Sequence, residues 1–202
     1  MIIAAFGDSI MEGRTGISPG ESWFTLLQSE LGCCHTLINA GVGGNSAREA
    51  FARWEKDVLS HSPDFIMVEL GGNNHDPRPG HEFRRVDDEE FLQILKSIRA
   101  SLPENFPVCA LTFPPIINEQ HLFYPMVPGG KVDEELQSQR QILRDFAREN
   151  DWEVLDLYEI FYPHRHELIL PDGIHLNPAG HRLLKEVILK MLKNKFPENF
   201  NH

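Results

Sequence analysis

Residues 2–13 read IIAAFGDSIMEG. Five apolar residues run without a polar break and stop at Gly7, Asp8 and Ser9. A continuous run of that length suits a strand covered on both faces, as in a parallel sheet, better than a strand with one wet face. Four more apolar runs of the same kind lie at 37–40, 65–70, 108–113 and 152–157. Between them, segments at 22–31, 47–60, 88–101, 133–149 and 179–195 carry helical spacing. Asp88 and Asp133 stand where helix N-caps belong, each with glutamates in the turn behind it. Strand and helix alternating in this rhythm predict βαβ units. The expected fold class is α/β, a three-layer α/β/α sandwich around a central five-stranded parallel sheet.

The chain has 202 residues, enough for one sizeable core, and one domain spanning 1–202 is the expectation. Its net charge is −11, with 19 Lys and Arg against 30 Asp and Glu. That balance argues against a nucleic-acid backbone or an anionic membrane surface as partner and favours a small molecule. No apolar stretch approaches the ~20 residues of a membrane span. Three cysteines, Cys33, Cys34 and Cys109, make an odd set with an adjacent pair. They do not resemble a disulfide framework, and with no signal-peptide core at the N-terminus the expected location is cytoplasmic. Oligomeric state is not legible.

Ligands of open parallel sheets bind beyond the carboxyl ends of the strands. Those ends read GDS (7–9) after the first strand, GVGGNS (41–46) after the second and GGNNHD (71–76) after the third. PDGIH (171–175) leads into the last helix. Four polar clusters thus fall where the fold gathers them on one edge, and this is the main sign of an active site. Two serines compete for the role of nucleophile. Ser18, in GISPG (16–20), matches G-x-S-x-G, but no strand precedes it. Pro19 behind it also lacks the N–H that an oxyanion would need. Ser9 directly follows an apolar strand in a turn leading toward a helix; the plainer reading of it is a helix cap. A serine nucleophile needs a base and a group to orient that base. Asp172 and His175, three residues apart, provide both types, although such a pair alone is more often structural. Gly44 can bring its N–H close to a ligand, and Asn73 can point an amide from the end of the third strand. Turn-making and an Asx-turn are the plain alternatives for these two.

FGDSIMEG (6–13), INAGVGGNS (38–46), VELGGNN (68–74) and PDGIHLNPAGH (171–181), in that order, resemble the four sequence blocks of the SGNH hydrolases, the GDSL-type esterases. The blocks span 6 to 181, most of the chain. The resemblance implies a flavodoxin-like sandwich and a serine esterase or acylhydrolase working without metal or other cofactor. Position by position it implies Ser9 as nucleophile, His175 as base and Asp172 as the residue orienting His175. It implies an oxyanion hole from the backbone N–H groups of Ser9 and Gly44 and the side chain of Asn73. The family's third block often reads Gly-x-Asn-Asp; here Asn74 follows Asn73, so the support of Asn73 is open. Some members work largely as a Ser–His dyad, which leaves the weight of Asp172 open too.

Ten histidines invite a metal reading, and GGNNHDPRPGH (71–81) is superficially similar to a Gly-Asn-His-Asp/Glu stretch of metallophosphoesterases. The upstream segment GDSIME lacks a second aspartate in register, and no Asp-x-His precedes it. No metal is therefore expected. His75, His81, His121, His164 and His166 are expected in loops or on the surface, and His181 in a structural role. Two long connections remain, 72–86 and 114–132, the second rich in proline and aromatics. Its residues 122–126 suit stacking a sugar or walling an acyl pocket. Arg48, Arg78, Arg84 and Arg85 are candidates for contact with an acidic leaving group, with solvated surface the plainer reading. No long apolar groove or lid helix is visible. A short acyl group, acetyl above all, is the expected substrate, with an O-acetylated carbohydrate as one candidate carrier. A lysophospholipase or thioesterase acting on longer chains, or a non-catalytic binder of acylated ligands, is the alternative.

Overall fold

The structure is a computed structural model and describes residues 1–75, 85–121 and 131–200. Five parallel strands form one sheet: β1 (Ile2–Gly7), β2 (Thr36–Gly41), β3 (Phe65–Glu69), β4 (Val108–Leu111) and β5 (Glu153–Leu155), in the order β2-β1-β3-β4-β5. All four strand pairings are parallel, with Phe6 opposite Ala40 on one side and Val68 on the other. The helices are α1 (Ser9–Glu12), α2 (Trp23–Leu31), α3 (Ala47–Phe51), α4 (Trp54–Asp57) and α5 (Asp88–Ala100). After them come α6 (Val132–Glu135), α7 (Gln137–Glu149), α8 (Leu157–Phe161), α9 (Arg165–Leu168) and α10 (Pro178–Lys195).

Side chains of a strand alternate between faces, and the core divides accordingly. Ile3, Ala5, Phe65, Met67, Cys109 and Leu111 pack with Leu27 of α2 and Leu184 and Ile188 of α10. Ala4, Phe6, Ile66, Val68, Val108 and Ala110 pack with Ala47, Trp54, Leu95 and Leu143, from α3, α4, α5 and α7. This is the expected three-layer sandwich. The continuous apolar runs of β1, β3 and β4 are buried on both faces. The edge strand β5 is not, and Val154 on it is 38% exposed.

Several boundaries differ from the sequence reading, for local reasons. The apolar run at 152–157 holds only a three-residue strand, because Trp152 still closes the end of α7 and Leu157 already opens α8. Asp87, not Asp88, caps α5, accepting from the Glu90 N–H at 2.8 Å. Asp133 does not cap a helix. It lies buried within α6, where its carboxylate accepts from the Ile116 N–H and from Arg140. The helix expected over 47–60 breaks into α3, α4 and a 3₁₀ turn. At the break Arg53 turns under the sheet: its guanidinium lies over the Phe6 ring and bonds the carbonyls of Ala40 and Gly7. The Gly7 carbonyl also accepts from the Val42 N–H at 3.1 Å, so Arg53 is its second donor and ties α4 to the ends of β1 and β2.

Candidate active site

Ser9 is the first residue of α1, directly beyond β1. It does not cap the helix, because Asp8 does, its Oδ1 accepting from the Ile10 N–H at 2.9 Å. The serine hydroxyl is thus left for another partner, and that partner is His175. His175 Nε2 lies 3.0 Å from Ser9 Oγ, and Nδ1 lies 2.7 Å from Asp172 Oδ2. The other Asp172 oxygen accepts from the N–H groups of Ile174 and His175 at 2.9 and 3.0 Å. Burial pushes the Asp172 carboxyl up, but the hydrogen bond to His175 and the two backbone donors outweigh it and hold the group down at about 2. The loop itself is pinned at both ends. Leu170 N–H bonds the His175 carbonyl at 2.7 Å, and Asn177 caps α10 with Pro178 in its first turn.

Ser18 lies elsewhere and is exposed. It precedes a 3₁₀ turn, and its hydroxyl donates to Glu21 at 2.6 Å, so it takes the turn role that its lack of a preceding strand implied.

The loops after β2 and β3 close around Ser9. Gly43 packs beside it: a Cβ at Gly43 would stand 3.6 Å from the Ser9 Cβ, and the Gly43 N–H bonds Glu12 of α1. Gly44 has φ +77°, a left-handed conformation that glycine adopts without strain, and the space around it is open. Asn73 donates its side-chain amide to Asp8 Oδ2 at 2.9 Å, which leaves the second amide hydrogen for a ligand. Arg85 ties the two loops together. Its guanidinium donates to the carbonyls of Gly44 and Asn73 at 3.2 and 3.4 Å and pairs with Glu49. Asn74, where the aspartate is often found, is fully buried and turns elsewhere: its Oδ1 accepts from the α3 residue Ala47, and its Nδ2 donates to Gln139 of α7. Asn73 takes its support from Asp8 instead.

Among the other residues singled out from sequence, Arg48 pairs with Glu90 at 2.5 Å. His164 and His166 are on the surface as expected. His75 and His121 lie in the connections after β3 and β4, as expected of loop residues, but are buried there rather than on the surface. His181 is buried too, and its Nδ1 accepts from the Trp23 N–H, a structural contact. Arg78, His81, Arg84 and the aromatic segment 122–126 lie outside the described residues. Among the described residues, no three His, Cys, Asp or Glu side chains are grouped so as to hold a metal ion. No helix among them is long and apolar enough to cross a membrane. Sequence reasoning missed Arg53 and Glu69, and for Arg85 it missed the contacts that join the two loops, because these bonds run to distant backbone or to another element and leave no local signature.

Known proteins resemble this chain at low identity. The Escherichia coli (strain K12) thioesterase 1/protease 1/lysophospholipase L1 is 24% identical over 93% of this chain and 81% of its own. An acetylxylan esterase of Geobacillus stearothermophilus is 24% identical over 76% of this chain and 70% of its own. The crystal structure of a lipase/acylhydrolase from Enterococcus faecalis superposes with a TM-score of 0.79 at 22% identity, over 96% of both chains. Residues 5–183 match the GDSL-like Lipase/Acylhydrolase family, which covers both ends of the site from Ser9 to His175. The chain belongs to that family of ester hydrolases.

Proposed function

We propose that the protein is a serine esterase that cleaves short-chain carboxylic esters, acetyl esters above all, through an acyl-enzyme on Ser9. The observation that carries this reading is the unbroken line from Asp172 through His175 to Ser9, at 2.7 and 3.0 Å. Ser9 Oγ attacks the ester carbonyl carbon while its proton passes to His175 Nε2. Asp172, ionised at any pH of interest, stabilises the imidazolium that forms. The tetrahedral oxyanion is met by the N–H groups of Ser9 and Gly44 and by the free hydrogen of the Asn73 amide. Collapse breaks the bond to the leaving oxygen, which takes the proton from His175 and departs as the alcohol. Water then gives its proton to His175 and attacks the acyl carbonyl, releasing the acid and restoring Ser9. No step calls for a metal, so turnover in the presence of a chelator is expected to be unchanged.

Small neutral esters suit the acidic chain, and the acetylxylan esterase relative makes an acetylated carbohydrate the first substrate class to examine. The thioesterase/lysophospholipase relative keeps longer acyl chains as the second. Two exposed cysteines and a buried one, none in a disulfide, fit a reducing, cytoplasmic location. The test is hydrolysis of p-nitrophenyl acetate beside the octanoate ester by the wild type and by Ser9→Ala. Turnover of the acetate that vanishes with Ser9→Ala is the expected result, and the acetate-to-octanoate ratio chooses between the two substrate classes. Failure to cleave either ester would leave a binder of acylated ligands as the better account.

A further inference from the structure

Glu69, the last residue of β3, is fully buried, and nothing in the mechanism above uses it. Its carboxyl lies directly beneath the turn that carries Ser9. A Cβ on Gly7 would stand 2.9 Å from Glu69 Oε2 and 2.5 Å from the Glu69 carbonyl, so the first residue of Gly-Asp-Ser must be glycine for this carboxyl to fit. The Asp8 N–H reaches Glu69 Oε2 at 3.5 Å, which sets the two buried acidic residues side by side. Asp8, itself 1% exposed, has one oxygen on the Ile10 N–H and the other on the Asn73 amide. Glu69 Oε1 has no hydrogen-bond partner among the described residues.

Two carboxyls this close in the interior cannot both ionise, because the second charge is opposed by the first and by lost solvation. The basic residues facing the pair do not remove the conflict. Arg140, from α7, acts on Glu69 at long range, but its guanidinium is already held by Asp133 at 2.7 Å. His175, from the loop before α10, acts on Asp8 and is hydrogen-bonded to Asp172. The proton belongs on the member with fewer donors. Asp8 accepts from two N–H groups, which favour its anion, whereas one Glu69 oxygen has no donor among the described residues. Burial and the Asp8 charge push Glu69 well above the ordinary carboxyl range, and burial raises Asp8 against the pull of the Ile10 bond.

We propose that Glu69 holds the pair's single proton and donates it to Asp8, so that Asp8 stays fixed as the acceptor that aims the Asn73 amide into the oxyanion hole. Glu69 is then a positioning residue for the reaction, one step behind Asp8 and two behind Asn73. The inference rests on the esterase reading of Ser9 and Asn73.

The experiment compares kcat, KM and the pH profile of p-nitrophenyl acetate hydrolysis for wild type, Glu69→Gln and Glu69→Ala, with Ser9→Ala and Asn73→Ala alongside. Glu69→Gln can donate an amide N–H in place of the O–H and should keep kcat within about threefold. Glu69→Ala should lower kcat about 10–100-fold with KM within about twofold, since only transition-state support is lost. Adding Asn73→Ala to Glu69→Ala should cost less than the two losses multiplied. Wild-type kcat should fall at alkaline pH as Glu69 is forced to ionise, and Glu69→Gln should lack that limb. A Glu69→Ala protein with wild-type kcat, or a Glu69→Gln protein that keeps the alkaline limb, overturns the inference while Ser9→Ala still abolishes turnover. If Glu69→Ala does not fold, the Glu69→Gln profile decides alone. Turnover that survives Ser9→Ala overturns the esterase reading and this inference with it.

Discussion

His175 places Nε2 3.0 Å from Ser9 Oγ across 166 residues of sequence, and it does so with its other ring nitrogen on Asp172 at 2.7 Å. The carboxylate fixes both the tautomer and the tilt of the ring, while its second oxygen is held by the backbone of its own loop. Asp172→Asn keeps the shape but replaces an anion by an amide that can face Nδ1 with the wrong group. By comparison with other triads, kcat should fall by roughly 10²–10⁴. Steady-state kinetics on p-nitrophenyl acetate measure it. A loss under about tenfold would mean that the loop alone holds the ring and that the site works as a Ser–His dyad.

Arg85 joins the carbonyls of Gly44 and Asn73, the two loop residues proposed to supply oxyanion donors. Asn73→Ala removes a donor outright and should cost roughly 10²–10³ in kcat. Arg85→Ala removes no donor but frees the two loops from each other, and a displacement near 1 Å at a reacting centre is worth up to about 10²-fold. The expected loss for Arg85→Ala is thus smaller than for Asn73→Ala and falls on kcat more than KM. A variant that instead raises KM at constant kcat would place Arg85 in substrate binding, the role its charge suggested from sequence.

The uneven legibility of the chain has a physical cause. Runs such as 65–70 and 108–113 announce buried strands because both faces must be apolar, and the glycine and polar clusters after β1, β2 and β3 announce a site because parallel strands gather their carboxyl ends. Ser9, Asp172 and His175 could be singled out on residue chemistry and turn context alone. Arg53 and Glu69 could not, nor could the loop-joining contacts of Arg85. Each makes its contacts with backbone or side chains that the fold brings near, as when Arg53 breaks a helix to reach the carbonyls of Gly7 and Ala40. The same holds for Asn74: its amide reads as a lost carboxylate in sequence, and only Gln139, 65 residues away, shows why an amide is needed.

That pair makes a stability prediction. Asn74 accepts from the Ala47 N–H and donates to Gln139 Oε1, and Gln139 in turn donates to the Val86 carbonyl at 3.0 Å. Asn74→Asp keeps the first bond and loses the donor of the second. Gln139 can answer only by flipping its amide, which then turns an oxygen on the Val86 carbonyl. One buried polar group is left unsatisfied either way, and the cost is about 1–3 kcal/mol. Urea unfolding of wild type and Asn74→Asp at neutral pH measures it. Equal midpoints would mean that the buried bridge contributes nothing to stability.

A second stability prediction concerns pH. His181, 3% exposed at the start of α10, accepts from the Trp23 N–H, and burial, aided by the charge of His175, holds it down at about 4. In the unfolded chain an imidazole titrates near ~6.5. Between those values the unfolded chain binds a proton that the folded chain refuses, so folding weakens as pH drops. The effect is nearly absent above pH ~7, grows through the interval and saturates below about pH 4. From pH 7 to pH 5 it amounts to about 2 kcal/mol. His181→Asn, which can keep an acceptor near the Trp23 N–H, removes the titration, so its unfolding free energy should lose less over that interval than the wild type's. Parallel slopes for the two proteins would assign the acid sensitivity to other groups, with the Asp8–Glu69 pair excluded as well, since a carboxyl that is already protonated in the fold opposes folding only as pH rises.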